Sequence, residues 1–170
     1  YTKYPRYIMA GYNVMAEEII DQIKDRPLPT HVFLQGGVGS FPGAICGYFW
    51  EKFPGNNIKF VVVESEHAPC LIRSAQNNQM TSVSIKQETM MAGLSCGEPS
   101  LLGWEILKSG TDDFITINDS SIPGLMRLLA KNNLKIEAGE SSVAGLAGLI
   151  DSMEDQKIAE AMELDKESIV

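Results

Sequence analysis

Residues His31 to Gly43 read HVFLQGGVGSFPG. A short apolar run, His31 to Leu34, ends in a loop that places Gly36, Gly37 and Gly39 within four positions. The chain then enters a helix-forming stretch from Phe41 to Phe53, broken off by PGNN. Glycines between a buried strand and a helix start leave backbone N–H groups exposed to one point, where the helix macrodipole adds roughly half a positive charge. Such a loop holds an anion without any lysine. The same glycines could instead serve only a tight turn. Downstream, Ile58 to Glu64 (IKFVVVE) is a second continuous apolar run, of the kind buried on both faces of a parallel sheet. Strand, loop, helix and strand make one βαβ unit.

Working outward, Met15, Ile19, Ile20 and Ile23 recur at helical spacing among Glu17, Glu18 and Asp21, so Ile8 to Asp25 is expected as an amphipathic helix ending before Pro27. After the second strand come a short helix over Ala68 to Ala75 and about 25 irregular residues through QNNQMTSVSIKQETMMAGLSCGEP, a length that marks a functional loop. Leu101 to Lys108 reads as helix and Phe114 to Ile117 as strand. Ser120 to Ala130 follows as a helix after a DSS cap, Ser141 to Met153 as a small-residue helix introduced by AGES, and Ile158 to Leu164 as a last helical segment. Alternating strands and helices predict an α/β fold: a three-layer, open, largely parallel sheet with helices on both faces. Residues 1–170 are expected to form a single domain.

Composition narrows the function classes. With 22 acidic against 14 basic residues, a net charge of -8 and no basic cluster, the chain is not expected to bind nucleic acid or an anionic membrane. Its longest apolar runs fall far short of the roughly 18 residues a membrane helix needs, and a cytoplasmic location is expected. Cys46, Cys70 and Cys96, with His31 and His67, show neither a disulfide framework nor metal-ligand spacing. The chain opens without an initiator methionine and closes on KESIV, which reads as the first residues of a strand; a piece of a longer protein is expected.

Which phosphate the loop would take is open on spacing alone. Gly37, Gly39 and Gly43 approximate the dinucleotide fingerprint, and Glu64 closes the next strand where a ribose-binding acid would stand. An NAD(P)-dependent oxidoreductase domain is therefore a rival reading, and Glu64 could equally be a solvated strand end.

Five further segments discriminate. YPRYIMAGYNVMAEEI, THVFLQGGVGS, VVVESEHAPCLIRS, ETMMAGLSCGEPSLLGWEIL and AGESSVAGLAGL, in this order and spacing, resemble diaminopropionate ammonia-lyase. That family belongs to the fold type II, tryptophan synthase β-like, pyridoxal-phosphate (PLP) enzymes. The resemblance covers nearly the whole chain. It implies that Gly36, Gly37, Val38 and Gly39 offer backbone N–H groups to the PLP phosphate, with the Ser40 hydroxyl beside them, though relatives often carry alanine at Gly36 and Ser40. It sets Glu140 and Ser141, in the GES segment, near the cofactor ring; a plain helix cap explains these two as well. Met90 to Pro99 becomes part of the active-site wall and entrance, with Cys70 and Cys96 near it as buried thiols or a regulatory disulfide.

The resemblance also implies an α,β-elimination converting 2,3-diaminopropionate to pyruvate and ammonia, with a small amino-acid substrate and a homodimeric parent. A threonine or serine dehydratase of the same fold is the alternative. By the same resemblance the chain is a C-terminal large-domain piece: the Schiff-base lysine belongs to an absent N-terminal small domain, the acid/base aspartates precede Tyr1, and the residue facing the pyridine nitrogen follows Val170. Of the chain's own candidates, Lys86 follows no family lysine motif, while Asp112, Asp113 and Asp119 read as turn and cap residues. No catalytic residue is therefore expected within the chain, which alone should be inactive and bind PLP weakly.

Overall fold

A computed structural model of the protein describes residues 2–133 and 135–170. Three parallel strands, β1 (His31–Gln35), β2 (Lys59–Ser65) and β3 (Asp113–Ile117), lie side by side in the order β1-β2-β3. Leu34 pairs with Val62, and Val62 with Phe114. β2 lies between the other two, and Phe60, Val61, Val62 and Val63 are fully buried. Phe60 and Val62 face one helical layer while Val61 and Val63 face the other, the period-two alternation of a strand covered on both sides. Burying a side chain of this size stabilises the fold by about 1.5–3 kcal/mol.

The layer on the Phe60 side contains α1 (Lys3–Ile23), α2 (Ser40–Lys52), α3 (Cys70–Asn77) and α4 (Leu101–Gly110). The opposite layer contains α5 (Ile122–Lys131), α6 (Ala144–Glu154) and α7 (Gln156–Met162). This is the expected three-layer α/β arrangement. α1 begins five residues earlier than the periodicity marked, because Pro5 is accommodated in the first turn, where no intrahelical N–H bond is lost.

The KESIV ending differs from expectation, as Asp165 to Val170 form no strand. The Ile169 carbonyl nevertheless accepts the N–H groups of Thr30 (2.8 Å) and His31 (3.2 Å), so the tail is fastened at the entrance to β1. His31 and Lys59 both donate to the Met162 carbonyl, at 2.9 and 3.2 Å, capping the last turn of α7. No helix among the described residues is long and apolar enough to cross a membrane.

Candidate functional site

The loop between β1 and α2 lies at the carboxyl end of the sheet, where open α/β folds bind ligands. The Gly36 N–H donates to the Val63 carbonyl at 2.7 Å, carrying the ladder one residue past β1. The chain then turns through Gly37 (φ 59°) and Gly39 (φ 90°), left-handed conformations that a side chain strains. The Gly39 N–H closes this turn on the Gly36 carbonyl (3.1 Å). Ser100 N–H and the Cys70 thiol hold the carbonyls of Val38 (2.7 Å) and Gly37 (3.5 Å). The N–H groups of Gly37, Val38, Ser40 and Phe41 find no acceptor among the described residues, and Pro42 has none to offer. Carbonyls are tied back while donors stay free at a helix start, which is the geometry of an anion cradle.

The family resemblance implies four N–H donors, on Gly36, Gly37, Val38 and Gly39. The ladder and the turn consume those of Gly36 and Gly39, so the free set moves forward to Gly37, Val38, Ser40 and Phe41. Gly36 and Gly39 donate within the fold and shape the loop. A Cβ on Gly36 would stand 2.6 Å from Glu64 Cγ, and one on Gly39 would stand 3.1 Å from both Leu71 and Leu107.

The loop borders a cleft of about 370 Å³, to which Gly36, Gly37, Val38, Ser40 and Ser141 all contribute. Glu140, half-buried, is not among the lining residues. Gly93, Leu94 and Cys96 bring the long loop to the same cleft, while Met91 packs into the core. Tyr12, Met15, Gln35, Phe41 and Ser142 also line it and were not singled out from the sequence. Tyr12 had a legible signal: it precedes Met15, Ile19 and Ile23 at helical spacing on one face of α1.

Two pins hold the cleft wall. Asp119 accepts from Thr89 Oγ1 (2.6 Å) and from the Met90 N–H (2.7 Å), and Ser141 Oγ accepts from the Gly93 N–H (3.0 Å). Neither residue is the helix cap its local sequence indicates. Asn118 caps the DSS turn by accepting from the Ser120 N–H, and no side chain caps the turn at Glu140–Val143. Burial raises the Asp119 pKa, but the hydrogen bonds from Thr89 and Met90 outweigh it and hold the carboxyl below its ordinary value.

Glu64 is neither a ribose ligand nor a solvated strand end. It is 1% exposed, and its two carboxylate oxygens accept the N–H groups of Leu71 (2.9 Å) and Ile72 (2.8 Å), filling the N-terminus of α3. Burial pushes its pKa up to about 7, against the pull of those two donors. An acid buried against a helix start is out of reach of a ribose, which removes the feature that favoured a dinucleotide. All three cysteines are free thiols; burial, then the charges of Glu64 and Cys96, push the Cys70 pKa up. Among the described residues no group of three or more His, Cys, Asp or Glu side chains is placed to hold a metal ion.

A larger trough of about 600 Å³ runs between α1, β1 and α6, but its lining is almost wholly apolar. The polar groups converge on the smaller cleft, which defines the candidate site.

A parallel α/β sheet whose carboxyl edge presents free N–H donors at a helix start is the arrangement with which open α/β folds hold anionic ligands. Residues 3–169 match the family model described as pyridoxal-phosphate dependent enzyme, and the chain belongs to that family. It is similar to the diaminopropionate ammonia-lyase of Escherichia coli K12, with 37% identity across 100% of this chain and 44% of that protein. The Salmonella typhimurium LT2 enzyme of the same name is 38% identical across 97% of this chain and 44% of its own length. The solved E. coli enzyme in complex with its aminoacrylate-PLP azomethine reaction intermediate superposes with a TM-score of 0.89, at 37% identity, over 100% of this chain and 45% of that one. Maize serine racemase, 20% identical with a TM-score of 0.78 over 90% of this chain and 44% of that one, shares the fold. The chain thus spans less than half the length of the ammonia-lyases it matches.

Proposed function

We propose that this chain is the phosphate-anchoring part of the large domain of a longer cytoplasmic, homodimeric PLP enzyme that eliminates ammonia from 2,3-diaminopropionate, leaving pyruvate and a second ammonia. The observation that carries the reading is the set of four free N–H groups on Gly37, Val38, Ser40 and Phe41, in a chain of the PLP family. The cradle fits the cofactor: a dianionic phosphate with three acceptor oxygens matches converging N–H donors and the positive end of the 13-residue helix α2. The Ser40 hydroxyl stands beside them. Bound PLP supplies an electron sink for the carbanion formed when the substrate loses its Cα proton.

The chain's own residues anchor and enclose. Ser141 holds Gly93 and Asp119 holds Thr89 and Met90, so one wall of the cleft is fixed from two sides. Glu140 stands next to Ser141 in the segment we assign beside the cofactor ring. Among the described residues, none of the ten lysines lines the cleft. Lys86 is exposed in the long loop, and the Asp119 carboxylate is occupied by its hydrogen bonds. We assign the lysine and the acid/base carboxylates to segments outside these residues, and on that assignment the chain alone is inactive.

The test is pyruvate release from 2,3-diaminopropionate by the full-length enzyme, with serine and threonine as controls. Release from diaminopropionate alone supports the reading, and preferential turnover of serine or threonine replaces it with the dehydratase alternative. A near-visible absorbance band in this chain that borohydride abolishes would overturn its inactivity, since it would place a reactive lysine within these residues.

A further inference from the structure

We infer that Tyr12, on α1, is a phosphate-binding residue whose phenol adds a donor to the cradle from outside the glycine loop. This rests on the proposed PLP reading and adds to it a contact from outside the glycine loop.

α1 packs along α2 and brings Tyr12 to the cleft that Gly37, Val38 and Ser40 also line. Its ring meets Phe41 edge-on, with centroids 5.2 Å apart and planes at 75°. Phe41 contributes one of the four free N–H groups, so the same residue that offers a donor at the start of α2 fixes the orientation of the Tyr12 ring. An edge-to-face pair of this kind adds order beyond simple area burial.

The Tyr12 hydroxyl makes no hydrogen bond to another described residue. A phenol on a cleft wall is a ready donor, and a phosphate has use for one. Its three terminal oxygens accept more bonds than four N–H groups supply, and among the described residues no Lys or Arg lines the cleft to furnish charge. Met15, the other α1 residue in the cleft, has only a weak thioether acceptor. Tyr12 is thus the one donor-bearing side chain that α1 contributes.

The test compares the chain with its Tyr12→Phe variant, which keeps the ring and the Phe41 contact and removes only the hydroxyl. Each is titrated with PLP, with pyridoxal and with inorganic phosphate, reading the backbone amide shifts of Gly37, Val38, Ser40 and Phe41. We expect the variant to bind PLP and inorganic phosphate about tenfold more weakly, the effect of one hydrogen bond to a charged group, with pyridoxal binding unchanged. A merely structural role would weaken all three ligands alike or none, and either result overturns the assignment. If PLP outbinds pyridoxal in both proteins by the same factor, the cradle stands and Tyr12 is excluded. If PLP and pyridoxal bind equally to the unaltered chain, the cradle itself fails, and Tyr12 with it.

Discussion

Glu64 carries a carboxyl group out of water and spends it on the first turn of α3, directly beneath Gly36. Because its folded pKa is raised from 4.5 to about 7, the native state holds its proton more tightly than the unfolded chain does. Its contribution to stability is therefore fully present below about pH 4.5 and is lost as pH rises through about 7, a change of up to about 3 kcal/mol. Urea unfolding of the chain and of Glu64→Gln across pH 4 to 8 checks this. We expect the decline in the first and a flatter profile in the second. Gly37 makes a second point at this scale. At φ 59°, with an added Cβ 3.2 Å from the Gly93 carbonyl, Gly37→Ala strains the turn and crowds the cleft wall together. Loss of phosphate-induced amide shifts, with stability lowered by about 1–3 kcal/mol, is the expected outcome. The sequence showed that these positions were special, but not how. Glu64 looked like a ligand because its spacing from the glycines matched a nucleotide fingerprint, whereas burial and the nearby start of α3 decide its role.

Elements were legible where local chemistry and tertiary packing agree. The Phe60 to Val63 run could lie only in a doubly covered strand, and PGNN and PLPT punctuated the helices correctly. The cleft wall was less legible, because its fastenings join residues far apart in the chain: Asp119 reaches Thr89 and Met90 across about thirty positions, and Ser141 reaches Gly93 across 48. Both residues sit in stretches that imitate helix caps. The free N–H set likewise lost Gly36 to the ladder, through a long-range bond to Val63 that no local motif encodes, and took in Ser40 and Phe41 at the start of α2. The Asp119 pin has a pH signature opposite in sign to that of Glu64. A lowered folded pKa stabilises above the ordinary value of 3.8 and is lost as pH falls through the folded value. Asp119→Asn should therefore loosen the Thr89–Gly93 segment at neutral pH, raising hydrogen exchange at the Met90 amide by about tenfold while α6 stays protected.

The whole molecule is a two-sided sheet whose packing tolerates some unpaired polarity. Ser152, 1% exposed on α6, has no hydrogen-bond partner for its hydroxyl among the described residues, so Ser152→Ala should leave stability unchanged or raise it by about 1 kcal/mol in thermal unfolding. What the described residues deliver at the carboxyl edge is a fixed set of donors. The cradle's dependence on phosphate is accordingly the most direct measure of the account. Titrating the chain with PLP and with pyridoxal, while following the amides of Gly37, Val38, Ser40 and Phe41, should show tighter binding of PLP and its displacement by inorganic phosphate. Equal binding of the two ligands, with those four amides unmoved, would contradict it.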